Sequence, residues 1–235
     1  MITEILRPLL PEYGLSLGEE QFAALEVYAA MLKEWNKKMN LTAITDDEGI
    51  AVKHFLDPLA VLRYADPPQE AKLADVGAGA GFPGAVLKIA RPDLRLTLID
   101  GLGKRVTFLA ALSERLGFEA ECLHLRAEEA GRDPALRERF DLVTARAVAG
   151  MNVLAEYCLP LVKRGGTFAA MKGPEPDAEI AAAEKAIRLL GGAKPKWACY
   201  RLPSGDGRTL VTVQKIAATP EAYPRCSAKI AKLPL

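Results

Sequence analysis

Residues 75–84 have the sequence Asp75-Val76-Gly77-Ala78-Gly79-Ala80-Gly81-Phe82-Pro83-Gly84. This glycine loop follows a short apolar segment at residues 73–76 and precedes an apolar stretch that ends at Ala90, a pattern that predicts strand, loop and helix. Glycines in such a loop let the backbone approach a ligand closely. Asp100 ends the next predicted strand. A carboxylate there can accept hydrogen bonds from both hydroxyls of a ribose, so the pattern predicts a nucleoside-binding site at the carboxyl ends of two parallel strands.

Two classes of cofactor fit this pattern. Gly79, Gly81 and Gly84 match the Gly-x-Gly-x-x-Gly dinucleotide fingerprint, but in a nicotinamide enzyme the first of these glycines directly follows the strand. The chain after residue 100 is also short for a second mononucleotide half and a substrate domain. Proteins that bind S-adenosylmethionine use Asp-x-Gly-x-Gly-x-Gly at the same place, and the run from Asp75 to Gly81 fits that form. We therefore expect an S-adenosylmethionine-dependent methyltransferase.

Strand and helix patterns alternate from residue 73 onward, and the chain closes with a predicted hairpin at residues 197–202 and 209–215. The alternation predicts a Rossmann-like α/β fold of class I, with a mostly parallel sheet and a C-terminal antiparallel hairpin. Helical spacing before residue 66 predicts an N-terminal helical cap. The expected divisions are a cap at 1–66, a cofactor-binding domain at 67–216 and a basic tail at 217–235. The run Lys-Arg-Gly-Gly at residues 163–166 predicts a turn.

Composition excludes several classes of protein. Half of the residues are hydrophobic and 26% are charged, which is typical of a soluble globular protein. The longest uncharged run, residues 76–87, is too short to span a bilayer and is interrupted by glycines and a proline. The four cysteines are widely separated in the sequence, so neither a zinc site nor a disulfide scaffold is indicated. No signal-peptide pattern is evident, and we expect a cytoplasmic protein without a membrane partner.

The charge of the chain is unevenly distributed. The totals of 31 basic and 30 acidic residues at first argue against a nucleic-acid partner. However, residues 1–180 sum to −6, whereas residues 181–235 carry 10 basic and three acidic side chains and sum to +7. Such asymmetry favours a polyanion as partner of one part of the surface.

The sequence lacks the motifs of several methyltransferase classes. Asp-Pro-Pro-Gln at residues 66–69 is not the Pro-Pro-aromatic motif of amino-group methyltransferases, because it precedes the glycine loop and ends in glutamine. Cys122 and Cys158 lack the Pro-Cys context of a cytosine-attacking nucleophile. Guanine N7 has an exposed lone pair and no proton, so its methylation needs alignment and no general base. A methyltransferase for a small molecule or protein, and a non-catalytic RNA-binding module, remain as alternatives.

The chain resembles the bacterial 16S ribosomal RNA guanine-N7 methyltransferases, also called glucose-inhibited division protein B, over roughly residues 20–235. The stretches that carry the resemblance are Asn40-Leu41-Thr42-Ala43-Ile44, Lys53-His54-Phe55-Leu56-Asp57-Pro58-Leu59, the glycine loop ending Gly81-Phe82-Pro83-Gly84, Gly103-Lys104-Arg105-Val106, Arg126-Ala127-Glu128-Glu129, Ala145-Arg146-Ala147, Met171-Lys172-Gly173 and Tyr223-Pro224-Arg225. The family often continues Tyr-Pro-Arg with another basic residue and then glycine, whereas Cys226-Ser227 follow in this chain.

The resemblance implies methyl transfer from S-adenosylmethionine to N7 of a guanosine in 16S ribosomal RNA or the small ribosomal subunit, with S-adenosylhomocysteine as product. It implies no metal, no covalent intermediate and no obligatory protein partner. Because A-form RNA hides guanine N7 in a deep groove, the target is expected in a loop or turned out of its stack. With the glycine loop, the resemblance places the cofactor at Gly77, Gly79, Gly81, Phe82, Asp100, Gly101, Leu102, Ala127, Glu128 and Arg146.

No residue is assigned a certain catalytic role by the sequence. Arg146 is a candidate for positioning the guanine or the cofactor. His54 is expected either at the pocket mouth or as a cap of the N-terminal helices, and His124 as a structural residue. The candidates for RNA contact are His54, Lys104, Arg105, Arg126, Lys172 and Arg225.

Overall fold

A computed structural model describes all 235 residues. The N-terminal part is helical, because apolar side chains at Phe22, Leu25, Ala29 and Leu32 recur at helical spacing and are buried. A left-handed Asn40 ends the longest of these helices. The elements before the sheet are α1 (Ile2–Leu6), a 3₁₀ turn (Leu10–Tyr13), α2 (Glu19–Met39), α3 (Asp47–Gly49), a π-helical segment (Ile50–Leu56) and α4 (Asp57–Ala65).

Seven strands form one sheet in the order β3-β2-β1-β4-β5-β7-β6. The first five strands pair in parallel, and the last two add antiparallel at one edge. This arrangement confirms the predicted mostly parallel sheet with its C-terminal hairpin. The strands are β1 (Lys72–Val76), β2 (Arg95–Asp100), β3 (Ala120–His124), β4 (Phe140–Arg146), β5 (Val162–Lys172), β6 (Lys196–Arg201) and β7 (Gly207–Gln214).

Helices cover both faces of the sheet, as expected for parallel strands whose side chains are buried on either side. The remaining helices are α5 (Gly84–Ala90), α6 (Gly103–Leu116), α7 (Ala127–Ala130), α8 (Met151–Cys158), α9 (Asp177–Leu189) and α10 (Ser227–Lys232). One core joins the N-terminal helices to α5 and α6, with Leu25 and Leu73 among its members. A second core lies beneath α8 and α9, with Val143 and Ile187 among its members.

The turn predicted at residues 163–166 is wrong, because the strand β5 runs through it. The pairing of β4 with β5 shifts register between Phe140 and Leu142, and Gly165 has a φ of 84°. A glycine with positive φ beside a register shift is typical of a β-bulge. Two glycines next to two charged residues therefore marked an irregularity within a strand.

None of the helices is long and apolar enough to cross a membrane.

Candidate functional site

The glycine loop begins where β1 ends, and its first residues contact the carboxyl end of β2. The amides of Gly77 and Ala78 both donate to the carbonyl of Ile99, at 2.8 and 3.1 Å. Gly77 has a φ of 69°, and a Cβ on it would lie 2.6 Å from the side chain of Val148. Only glycine therefore combines this left-handed backbone with the close approach of the segment that follows β4.

Asp75 joins the loop to the middle of the sheet. The side chain is fully buried, and its two oxygens accept hydrogen bonds from the amide of Gly84 at 2.8 Å and the hydroxyl of Thr144 at 3.0 Å. Burial raises the pKa of Asp75 to about 6. The first acid of the glycine motif thus fixes the start of α5, while the open side of the loop is left to a ligand.

Asp100 lies beside the loop, as its position after β2 predicted. One carboxylate oxygen accepts from the amide of Gly79 at 2.9 Å, and the other accepts from the amide of Leu102 at 2.8 Å. The guanidinium of Arg105 lies 3.5 Å from the first oxygen. Each carboxylate oxygen has more than one acceptor site, so Asp100 keeps capacity for the hydroxyls of a ribose. Gly101 and Leu102 are exposed next to it.

Glu128 also lies near the carboxyl ends of the strands, on the β3 side, where Ala127 begins α7. Only 8% of the Glu128 residue surface is exposed, yet the carboxylate makes no hydrogen bond or ion pair with another residue. No buried side-chain oxygen of the chain lacks a hydrogen bond, so the Glu128 carboxylate oxygens are not fully enclosed, and they are open to a ligand that brings its own donors.

Arg146, the last residue of β4, is held by the segment that precedes α4. The guanidinium donates to the carbonyl of Lys53 at 2.7 Å and to Nδ1 of His54 at 3.3 Å, and it lies 3.7 Å from a carboxylate oxygen of Asp57. Burial lowers the pKa of Arg146 from its usual value, and the carboxylate of Asp57 opposes this change. The arginine therefore ties the N-terminal helices to the centre of the sheet.

Three aromatic rings continue this connection toward the glycine loop. Phe82 stacks on the imidazole of His54, with ring centroids 4.4 Å apart, and on Tyr28 at 5.3 Å. The guanidinium of Arg146 lies 5.0 Å from the same Phe82 ring. The Tyr28 hydroxyl donates to the carbonyl of Ala80 in the loop. His54 is thus buried at the cavity wall, and its other ring nitrogen lies 2.8 Å from Oγ1 of Thr42, close after the end of α2.

Asp57 is a site residue to which no sequence pattern assigned a role. The carboxylate is 3% exposed, accepts a hydrogen bond from Tyr200 at 2.7 Å and lies 3.5 Å from Arg208. Burial raises the pKa of Asp57, while Tyr200 and the two arginines oppose this change. Because Tyr200 and Arg208 lie near the other end of the sequence, no local pattern indicated this contact.

A cavity of about 540 Å³ opens at the carboxyl ends of β4 and β5. Predicted site residues His54, Arg146 and Lys172 line it, together with Asp57 and Glu179. The structure therefore brings together a glycine loop flanked by two acids and, on the far side of Phe82, a charged cavity.

The remaining basic candidates fall into two groups. Lys104, Arg105 and Arg126 follow β2 and β3 at the rim of the glycine-loop side, where Arg126 packs against Gly101. Arg225 does not line the cavity. Its guanidinium instead bonds both oxygens of the fully buried Glu156, at 2.8 and 2.6 Å.

Comparison with known proteins places the chain in one family. The family model GidB, described as rRNA small subunit methyltransferase G, matches residues 21–203. A protein of Listeria innocua called ribosomal RNA small subunit methyltransferase G is 44% identical over 237 residues, covering both chains fully. A protein of the same name from Geobacillus thermodenitrificans is 50% identical over 219 residues, covering 92% of each chain.

Solved structures with the same fold come from other methyltransferases. The precorrin-6y C5,15-methyltransferase of Geobacter metallireducens aligns with a TM-score of 0.53 at 15% identity, covering 67% of this chain and 87% of that chain. An Agrobacterium tumefaciens protein described as a predicted O-methyltransferase gives a TM-score of 0.52 at 24% identity, covering 71% and 81%. These alignments confirm the class I methyltransferase fold and carry no information about the substrate.

Proposed function

The chain belongs to the family of rRNA small subunit methyltransferase G, and from this we propose that it transfers a methyl group from S-adenosylmethionine to N7 of a guanosine in 16S ribosomal RNA. The observation that supports the proposal is the charged cavity lined by Arg146 and Lys172, whose wall residues His54 and Arg146 both lie against Phe82 of the glycine loop. A methyl donor in the loop and a base in the cavity would be neighbours.

The residues of the loop side fit S-adenosylmethionine. Gly79 has a φ of 59°, and the only atom within 4 Å of a Cβ built on it is the Gly77 carbonyl oxygen, at 3.8 Å. That side of the loop is open to a ligand. Asp100 would bind the ribose hydroxyls, and the unpaired carboxylate of Glu128 would accept a hydrogen bond from the cofactor. When bound, S-adenosylmethionine supplies an electrophilic methyl group on a sulfonium sulfur that leaves as a neutral thioether.

The protein's own residues align the reactants and move no proton. Guanine N7 attacks with a lone pair that carries no hydrogen, so no general base is required. Burial and the adjacent Arg146 lower the pKa of His54 to about 4, so its imidazole is neutral at physiological pH. His54 stacks on Phe82 and accepts a hydrogen bond from Arg146, and these two contacts hold the wall of the cavity in place.

The RNA has to present the base outside a helix, because the A-form groove is too deep and narrow for the protein to reach N7. We propose that Lys104, Arg105 and Arg126 bind phosphates at the rim while the guanosine enters the cavity. The helical cap at residues 1–66 and the basic tail at residues 217–235 would supply the rest of the RNA contact.

One experiment tests the reaction. Purified protein is incubated with labelled S-adenosylmethionine and either naked 16S ribosomal RNA or small ribosomal subunits, and the methylated nucleoside is mapped by mass spectrometry. The expected product is 7-methylguanosine at a single loop position. Methylation at another atom of the base, or of protein alone, would contradict the proposal.

A further inference from the structure

Glu179 lies on the wall of the 540 Å³ cavity, in the first turn of α9. We propose that this carboxylate reads the Watson–Crick edge of the target guanine by accepting hydrogen bonds from N1–H and from the 2-amino group. The inference rests on the proposed function, because it assumes that guanosine enters the cavity.

The two oxygens of Glu179 have different surroundings. Oε1 accepts from the ammonium of Lys172 and from the amide of Met151, both at 2.6 Å. Oε2 makes no hydrogen bond, and the side chain is 36% exposed. Lys172, by contrast, is 12% exposed and also donates to the carbonyl of Ala149 at 2.8 Å. The pair thus fixes the carboxylate in one orientation and leaves one acceptor oxygen free at the cavity wall.

The chemistry of guanine matches that free oxygen. Guanine carries donors at N1 and at the 2-amino group, whereas adenine carries an acceptor at N1 and no 2-amino group. N7 lies on the opposite side of the base, so a base that turns N7 toward the methyl donor turns this edge away from it. Enzymes that act on an extruded base commonly read its Watson–Crick edge in this way. A carboxylate accepts from guanine and repels adenine.

The same contact strengthens during the reaction. Forming the N7–methyl bond leaves a positive charge on the base, which makes N1–H a stronger donor. A fixed carboxylate opposite that donor is therefore bound more tightly in the transition state than in the ground state, which is the condition for accelerating the reaction.

Glu179 also has a second role, because Oε1 and Lys172 together hold the segment between β4 and α8 through Ala149 and Met151. Loss of activity in a variant would not separate the two roles. Glu179→Gln does separate them, because the amide oxygen of glutamine can still accept from Lys172 and Met151. The amide nitrogen then occupies the position of the free oxygen and presents hydrogens to the hydrogens of guanine.

The test uses substrates that differ in one group. Once the methylated position has been mapped, small-subunit RNA is ligated with either guanosine or inosine there, since inosine lacks only the 2-amino group. At saturating S-adenosylmethionine, we expect kcat/KM of the wild type to be about 10–100-fold higher for guanosine, the range for a hydrogen bond to a charged group. In Glu179→Gln we expect this ratio to fall to about 1–3-fold, as no acceptor remains. Glu184→Gln, an exposed acid on the same helix without a partner, should keep the wild-type ratio.

The outcomes distinguish the two proposals. If the wild type methylates guanosine at N7 and Glu179→Gln loses the same factor on both RNAs, Glu179 only positions the segment and the inference is wrong. If the wild type does not methylate N7 of the guanosine RNA at all, the proposed function itself fails.

Discussion

The guanidinium of Arg146 donates a hydrogen bond to Nδ1 of His54. Since arginine has no acceptor, Nδ1 must be the unprotonated nitrogen, and the proton of the neutral ring is on Nε2, which donates to Oγ1 of Thr42 at 2.8 Å. Protonating the ring would place a second positive charge against the arginine. One hydrogen bond thus fixes the tautomer, the orientation and the charge of the histidine at the site.

This relationship predicts how stability depends on pH. The folded pKa of His54 is about 4, against an ordinary value of 6.5, so the unfolded chain takes up a proton first as the pH falls. The stability of the wild type relative to His54→Gln should therefore fall by about 3 kcal/mol between pH 7 and pH 4. Urea unfolding of both proteins at each pH measures the difference, in which the opposite contribution of Asp75 cancels. A constant difference would show that His54 titrates normally.

Gly79→Ala should weaken cofactor binding, and it should lower the free energy of unfolding no more than Gly117→Ala does. Both Gly79 and Gly117 have left-handed backbones, with φ of 59° and 69°, and a methyl carbon added at either would come no closer than 3.8 Å to another atom. Alanine at either site should cost about 1–2 kcal/mol of folding free energy. Only the methyl at residue 79 would enter the proposed cofactor cleft, and for that variant we expect calorimetry to give an at least ~10-fold higher Kd. Equal affinities in the two variants would place the cofactor elsewhere.

Asp100→Ala should reduce affinity for S-adenosylmethionine by one to two orders of magnitude. A hydrogen bond to a charged group contributes about 1.5–3 kcal/mol, and this carboxylate also holds Gly79 and Leu102 in place. Titration calorimetry with the cofactor product measures the change. Glu119→Gln, an exposed acid without a partner, provides the control. Unchanged affinity in Asp100→Ala would exclude the ribose contact.

Lys104→Gln should weaken RNA binding and make it less dependent on salt. Each lost phosphate contact reduces the slope of log K against log salt by about 0.7–0.9. Arg115 is an exposed arginine at the other end of α6 and serves as a matched control, about 16 Å along the helix. Filter binding between about 50 and 200 mM salt gives both slopes. If Arg115→Gln lowered the slope and Lys104→Gln did not, the RNA would bind near the amino ends of the strands and not near their carboxyl ends.

Arg225→Met should lower stability, because the arginine is the partner of the buried Glu156. Removing one member of a buried pair costs about 3–5 kcal/mol, and changing both often restores much of the loss. We therefore expect the double variant Arg225→Met with Glu156→Gln to recover, with RNA affinity unaffected in either protein. Unfolding by urea and filter binding together decide the point. A stable Arg225→Met variant with weaker RNA binding would show that this arginine contacts the RNA.

Local patterns were sufficient for the parts of the molecule built from neighbouring residues. The glycine loop, Asp100 and the strands that precede them lie close together in the sequence, and there the predicted and observed elements agree. The site as a whole depends on long-range contacts. Asp57 meets Tyr200 across 143 positions, and Glu179 was one acid among several on a helix. Nothing in the spacing of such residues indicates which of them faces a cavity.

The bulge at Gly165 and the role of Arg225 were also not predictable from local sequence. Glycine and charge favour a turn, but the pairing partner decides whether the chain turns or continues as a strand. A basic residue in a basic tail suggests RNA, whereas Arg225 lies against an acid 69 positions earlier. In both cases the neighbour in space is absent from the local sequence.

The contact between Asp57 and the hairpin of β6 and β7 also has a consequence for synthesis of the chain. Asp57 leaves the ribosome well before Tyr200 and Arg208, which lie more than 140 positions later in the sequence. Until then the carboxylate lacks two of its three partners, and one wall of the cavity is missing. The cavity can therefore be completed only after the hairpin of β6 and β7 has been synthesised.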